Sequence, residues 1–244
     1  MTIVKPQQFQ VTIEQKKQLT KTVFLFGLRL FNGQQLHFAA GQYVAFIIDD
    51  KTRRQYSFAS APNNPTTFEI VIDTLPMGPG SKFFLEKNVG DTTPCIAPLG
   101  TFIMDKTTHR RKVMIATGTG VAPLRSMILD GLRSDGPKVM NDELILYWGL
   151  RHEEDVYWAN EFDALARERP NFRFFICLSQ PTDAWQDSVS RRCGRVTNHL
   201  AQEERNLKDS DIYLCGSREM TGDIERQCIE FGVPPEQIHK ELYF

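Results

Sequence analysis

The sequence lacks any run of about 18 apolar residues, so no membrane-spanning helix is expected. It also lacks a surplus of either charge. Lys and Arg number 29 against 30 Asp and Glu, a formal charge of −1, and without a basic excess there is no electrostatic footprint for nucleic acid. Cysteines are few: Cys95, Cys177, Cys193, Cys215 and Cys228 are odd in number, widely spaced and without a Cys-x-x-Cys pair. That pattern holds neither zinc nor an iron–sulfur cluster, so reduced thiols and no bound metal are expected. Residues Met1 to Gln10 have no basic region followed by an apolar core, which makes a cytoplasmic protein the expectation. No internal repeat and no low-complexity tract is present, so neither a solenoid nor a disordered tail is expected.

What is there is an ordinary globular composition, 41% hydrophobic and 24% charged, in 244 residues. This length suits two domains or one large α/β unit. Charge is distributed unevenly: residues 1–108 carry 11 basic and 8 acidic side chains, a net +3, and residues 109–244 carry 18 and 22, a net −4. The front half therefore favours an acidic partner.

Up to about Met104 the pattern is short and alternating, with Phe9, Val11 and Ile13, then Val23 to Leu30, Tyr43 to Ile48 and Phe68 to Ile72. Turn-rich pieces such as Phe31-Asn32-Gly33 separate these stretches, and the reading is a small antiparallel barrel or sandwich. One helix interrupts it after Gly78-Pro79-Gly80-Ser81, with Ser81 as the expected N-cap. Beyond His109-Arg110-Arg111-Lys112, apolar runs alternate with helical segments. The runs are Val113 to Ala116, Leu144 to Trp148, Phe172 to Leu178 and Ile212 to Cys215; the helices are expected over Leu124 to Arg133, Asn160 to Arg169 and Glu219 to Phe231. Such alternation predicts a parallel, doubly wound sheet. The expected domains are 1–108 and 109–244.

Two local patterns carry chemistry. The turn Thr117-Gly118-Thr119-Gly120 joins a strand to a helix, with Pro123 close behind. Glycines there allow a pyrophosphate close to the backbone and the helix N-terminus offers free N–H groups, although a turn without a ligand reads equally well. The segment Arg54-Gln55-Tyr56-Ser57 places a guanidinium and a phenol on one face of an extended strand. That set suits a flavin: the fork binds phosphate, the ring covers the isoalloxazine, and Ser57 is a hydrogen-bonding neighbour for the ring nitrogen that accepts hydride. An edge-strand cation beside a half-buried Tyr is the plainer alternative.

The order of the motifs decides between these readings. Arg54-x-Tyr56-Ser57, Gly78-Pro79-Gly80-Ser81, Gly118-Thr119-Gly120 through Arg125-Ser126, Tyr213-Leu214-Cys215-Gly216 and Glu241-Leu242-Tyr243-Phe244 follow one another along nearly the whole chain. In that order they resemble the ferredoxin–NADP reductase family. The resemblance implies an N-terminal flavin-binding antiparallel β-barrel followed by a Rossmann-like nucleotide-binding domain, with hydride passing between the two rings in a cleft. It implies FAD at Arg54, Tyr56, Ser57, Gly80 and Ser81, and NADH or NADPH at Thr117, Gly118, Thr119, Gly120, Pro123 and Gly216. Ser57, Cys215 and Glu241 are the implied catalytic residues, with Cys215 beside the nicotinamide ring. Tyr243 or Phe244 is the implied cover of the flavin face, and a terminal strand packed on the sheet edge is the alternative for this segment. Gln180 stands where NADPH-using relatives often have Arg, a lean toward NADH, while Arg191, Arg192 and Arg195 could each reach a phosphate. The implied acceptor is ferredoxin, flavodoxin or another redox protein. Reduction of diffusible flavin, service as the reductase subunit of an oxygenase, and a non-catalytic flavin sensor are the competing readings.

Overall fold

The computed structural model describes residues 5–133, 142–204 and 206–243. The chain divides into two compact units, Met1–Met104 with Arg125–Arg133, and Asp105–Leu124 with Ser134–Phe244.

The first unit contains β1 (Gln7–Gln18), β2 (Val23–Leu30), β3 (Tyr43–Ile47), β4 (Arg53–Ser57), β5 (Thr67–Asp73), α1 (Pro79–Glu86) and β6 (Thr92–Leu99). The strands form one antiparallel sheet in the order β4-β3-β6-β1-β2-β5. A further bridge between Phe58 and Ile70 joins the segment after β4 to β5, so the sheet curls into a barrel. Alternation does the work in β1: Phe9, Val11 and Ile13 turn inward while the intervening residues meet solvent. Phe84 of α1 plugs the core against Phe26 and Phe46, with ring centroids 5.0 and 4.9 Å away. Lys16 of β1 fixes the end of that helix by donating to the carbonyls of Leu85 and Lys87 at 2.6 and 2.7 Å.

Ser81 is not the N-cap of α1. The helix begins at Pro79 behind an extended Gly78, since proline's fixed φ suits the first helical position. Ser81 lies inside the helix, where its hydroxyl donates to the carbonyl of Asp73 at 3.1 Å. The stretch Arg125–Arg133 also belongs to this unit. There Arg125 donates to the carbonyl of Ala59 at 2.7 Å and pairs with Glu69 at 2.9 Å, and Ser126 Oγ donates to the carbonyl of Ser60 at 2.6 Å.

The second unit is built on β7 (Arg111–Thr117), β8 (Leu144–Leu150), β9 (Phe172–Leu178), β10 (Arg191–Cys193), β11 (Ser210–Gly216) and β12 (Ile238–Leu242). All pair in parallel, in the order β10-β9-β8-β7-β11-β12. The helices are α3 (Ala159–Glu168), α4 (Val196–Glu203) and α5 (Arg218–Glu230), together with the first residues of α2 (Val121–Gly131), which from Arg125 on belongs to the first unit. Helix α2 starts three residues before the expected Leu124. Pro123 then falls in its first turn, where a missing N–H costs nothing because those donors have no helical partner. The chain runs outward from β7 to β10 and returns on the other side with β11, so the sheet's topological switch lies between β7 and β11. Among the described residues no helix is long and apolar enough to cross a membrane.

Candidate active site

In the first unit, pairing with β3 sets Arg54 opposite Phe46 and Tyr56 opposite Val44. Both side chains lie against the start of α1: a Cβ added at Gly80 would stand 2.2 Å from the Tyr56 hydroxyl and 2.9 Å from Arg54 Cγ. Only a residue without a side chain allows this approach. Burial pushes the Tyr56 phenol up to about 12 against the opposing charge of Arg54, so the ring is a neutral hydrogen-bonding surface at physiological pH. Its edge is fixed by Phe84, 5.4 Å away and nearly perpendicular. Arg54 is exposed and spends one donor on the neighbouring Arg53 carbonyl at 2.8 Å. Ser57 and Ser81 are buried. Arg54, Tyr56, Gly80 and Ser81 are thus brought together, with a guanidinium and helical N–H groups beside an aromatic face. This donor set fits a flavin carrying a pyrophosphate.

In the second unit the turn at the switch point is as tight. A Cβ at Gly120 would stand 2.3 Å from the Cys215 carbonyl oxygen, and one at Gly216, whose φ is +146°, would stand 2.3 Å from Thr117 Oγ1. The ends of β7 and β11 therefore meet backbone to backbone, and Thr117 Oγ1 accepts from the Ser217 N–H at 3.1 Å. Thr117, Gly118, Thr119, Gly120 and Gly216 cluster in sequence around this meeting point, with Pro123 one helical step on. The close backbone and the start of α2 fit a dinucleotide phosphate.

Trp148, legible in the sequence as part of an apolar strand, is not among the expected site residues. Its Nε1–H donates to the Gly118 carbonyl at 2.9 Å, and its ring is fully buried against Tyr157, with centroids 4.8 Å apart. The signal was a Trp immediately before Gly149 in an apolar strand, since a buried indole N–H needs a partner.

The last residues form a strand and also reach the site. β12 sets Glu241 opposite Cys215 and Leu242 opposite Gly216, and the Tyr243 N–H donates to the Gly216 carbonyl at 3.1 Å. A hydrogen bond links the Cys215 and Tyr243 side chains. Burial, joined by the Glu241 charge, pushes the Cys215 thiol well up and outweighs that hydrogen bond, so it stays protonated. Cys215, Glu241 and Tyr243 are gathered at the end of β11; Phe244 lies outside the described residues.

The three arginines have different fates. Arg192 is not available to a ligand phosphate: it forks onto Glu203 at 2.5 and 2.9 Å, donates to the carbonyls of Ser188 and Arg191, and covers the Phe175 ring at 4.4 Å. Helix α4 presents Glu203 to it, eleven residues along the chain. Arg191 lies over the Trp185 ring at 4.7 Å. Arg195 stands immediately before α4, makes no side-chain capping bond to it, and pairs with Glu219 at 3.1 Å. Gln180 is anchored through its backbone, its N–H to the Arg151 carbonyl at 2.9 Å and its carbonyl to His152 Nδ1 at 3.0 Å.

The oxidoreductase FAD-binding domain family matches residues 10–104 and the oxidoreductase NAD-binding domain family matches residues 114–226. A ferredoxin--NADP reductase B from Sorangium cellulosum (strain So ce56) is 29% identical over 251 residues, covering 99% of this chain and 100% of its own. The reductase component 1 of a terephthalate 1,2-dioxygenase from Comamonas is 28% identical over 221 residues, 91% of this chain; the match spans only 64% of that longer protein. Among solved structures, a cytochrome P450 reductase from Amycolatopsis superposes with a TM-score of 0.86 at 26% identity, over 97% of this chain and 70% of the other. A ferredoxin NADP+ reductase from Neisseria gonorrhoeae, solved with bound FAD and NADP, shares the fold with a TM-score of 0.79 at 21% identity, over 99% and 100% of the two chains.

Proposed function

The chain belongs to the ferredoxin–NADP reductase family of NAD(P)H-dependent flavoprotein reductases, and from that premise we propose that it takes hydride from NADH onto bound FAD and hands electrons singly to a small acidic redox protein such as ferredoxin or flavodoxin. Residues 1–108 are the FAD-binding domain in this reading and residues 109–244 the nicotinamide-nucleotide domain. FAD supplies the two-electron to one-electron exchange. Arg54 and the N–H groups at Gly80 and Ser81 hold its pyrophosphate, Tyr56 packs on its ring, and Ser57 hydrogen-bonds near the hydride-accepting nitrogen. Thr117 through Gly120 and Gly216 hold the pyrophosphate of the nucleotide, with Pro123 setting the helix start. Cys215 and Glu241 line the place of the nicotinamide, and the terminal aromatics, Tyr243 or Phe244, cover the flavin face.

The observation that carries the reading is the close approach of Gly80 to Tyr56 and Arg54, a cradle with no space for a side chain. The lean toward NADH is supported by Gln180 and by the engagement of Arg192 with Glu203. For the acceptor, the +3 of residues 1–108 suits an acidic protein, and the Sorangium relative named as a ferredoxin reductase matches over its full length. The test is anaerobic stopped flow of the yellow protein with NADH and separately with NADPH. Fast bleaching, faster at low concentration with NADH, is expected; a flavin that neither nucleotide bleaches would sink the assignment. A purified protein that is colourless but reduces added FMN or FAD would favour diffusible flavin as the substrate.

A further inference from the structure

Resting on the assignment of the nicotinamide nucleotide to the Gly118–Gly120 turn, we infer that Glu219 is a built-in competitor for Arg195: it holds the guanidinium until a phosphate group of the nucleotide displaces it, and so sets how strongly that phosphate is preferred. Position comes first. Gly149 is wedged between Thr117 and Val196, since a Cβ there would stand 3.2 Å from Thr117 Cγ2 and 3.2 Å from Val196 Cγ1. Arg195 immediately precedes Val196, so its backbone enters α4 at the same end of the sheet as the glycine turn. Thr117 also accepts from the Ser217 N–H at 3.1 Å, two residues before Glu219. Arg195 and Glu219 therefore stand at the end of the sheet where Thr117 lies, one before α4 and the other in the first turn of α5, and they meet at 3.1 Å.

The two arginines of β10 are engaged elsewhere: Arg192 is forked onto Glu203 and Arg191 lies on Trp185. Side-chain exposures of 68% for Arg195 and 73% for Glu219 make theirs a weak, solvent-screened pair. A phosphate, with more charge and oxygens spaced for the guanidinium fork, displaces the carboxylate without disturbing the fold. The displaced Glu219 then repels the same phosphate, so its charge acts against binding both before and after displacement. Two phosphates share this chemistry, the pyrophosphate common to NADH and NADPH and the 2′-phosphate found only in NADPH.

The experiment uses the FAD-loaded full chain as wild type, Glu219→Gln, Arg195→Ala and the double variant, each bleached anaerobically with NADH and with NADPH across a concentration series. Glu219→Gln is expected to lower the half-saturating concentration of at least one nucleotide about three- to tenfold, with the change falling on that concentration rather than on the limiting rate. The gain should vanish in the Arg195→Ala background, because it exists only through the guanidinium. A gain confined to NADPH identifies the 2′-phosphate, and an equal gain with NADH identifies the pyrophosphate. No gain in Glu219→Gln, or the same gain with Arg195 removed, overturns the inference while leaving the nucleotide site in place. A wild type bleached by neither nucleotide removes the nucleotide assignment and this inference with it.

Discussion

The indole N–H of Trp148 and the carbonyl of Gly118 are hydrogen-bonded at 2.9 Å although 30 residues separate them. Gly118 has a φ of +54°, and its carbonyl accepts from the backbone N–H of Val121 as well as from the indole, so Trp148 is a second donor that ties the turn to the neighbouring strand. The side chain of β8 thus holds the shape of the turn that follows β7.

Replacing Trp148 by Phe keeps most of the buried ring and removes the donor. The expected loss is about 1 kcal/mol, felt as a roughly fivefold rise in the half-saturating nucleotide concentration. Flavin content, read from the ratio of visible to ultraviolet absorbance, should not change. An unchanged nucleotide affinity would show that the turn keeps its shape by its own backbone preferences.

Gly80→Ala addresses the flavin cradle alone. Its new methyl would collide with the Tyr56 hydroxyl and Arg54 Cγ, 2.2 and 2.9 Å from the Cβ position, and both side chains must give way. Bound flavin should fall by about tenfold or more in affinity, on the scale expected when a phosphate grip and a ring contact move together. Equilibrium dialysis against FAD measures this, and retention of full flavin occupancy at low FAD would contradict the placement of the cofactor there.

Much of this was readable before any coordinates. The inward set Phe9, Val11 and Ile13 gives β1, and the uninterrupted apolar run from Val113 to Ala116 gives a strand buried on both faces, because those periods are local properties. Short polar elements were not readable: β10 is Arg191, Arg192 and Cys193, with no apolar alternation, and it is a strand because its backbone extends the sheet beside β9. Helix α4 hides behind the same polarity. Side-chain commitments over long separations were also invisible. Arg192 reads as a free cation until α4 folds back to place Glu203 against it, and Ser81 reads as a cap until Asp73 offers its hydroxyl an acceptor. The motif residues themselves were legible because their types and order, rather than their contacts, carry the pattern.

At the start of the second sheet, Lys112 is fully buried and paired with Asp211 at 2.7 Å, and Thr108 and Arg110 also donate to that carboxylate. Burial alone would raise the Asp211 carboxyl, but the hydrogen bonds from Lys112 and Thr108, the Lys112 charge and the Arg110 contact hold it below its ordinary value. A carboxyl lowered by folding contributes stability that is complete above its unfolded value, about pH 4, and is lost as the pH falls through the folded value. Asp211→Asn leaves Lys112 buried without a counter-charge and should cost about 3 to 5 kcal/mol in urea denaturation at neutral pH. Wild-type stability should fall below about pH 4, and the variant should lack that part of the decline.

Cys215 separates a role at the reacting centre from simple packing. Cys215 and Cys177 are both fully buried thiols, pushed up by burial, so neither burial nor acidity distinguishes them. Neighbours do: Cys215 sits in register with Glu241 and hydrogen-bonds Tyr243, at the end of the strand where Gly216 meets Thr117. If the nicotinamide ring rests there, Cys215→Ala opens a small gap beside it, and a misplacement of even a fraction of an ångström slows hydride transfer by about tenfold. Flavin content and nucleotide affinity should be preserved, and Cys177→Ala should lower stability without touching the single-turnover rate. Because the Cys215 thiol stays protonated, the rate should also be flat across roughly pH 7 to 9, the range in which an ordinary thiol would ionise. A single-turnover rate unchanged by Cys215→Ala would make Cys215 a core thiol of the same kind as Cys177, and the reacting centre would then have to be sought along Glu241 and Tyr243.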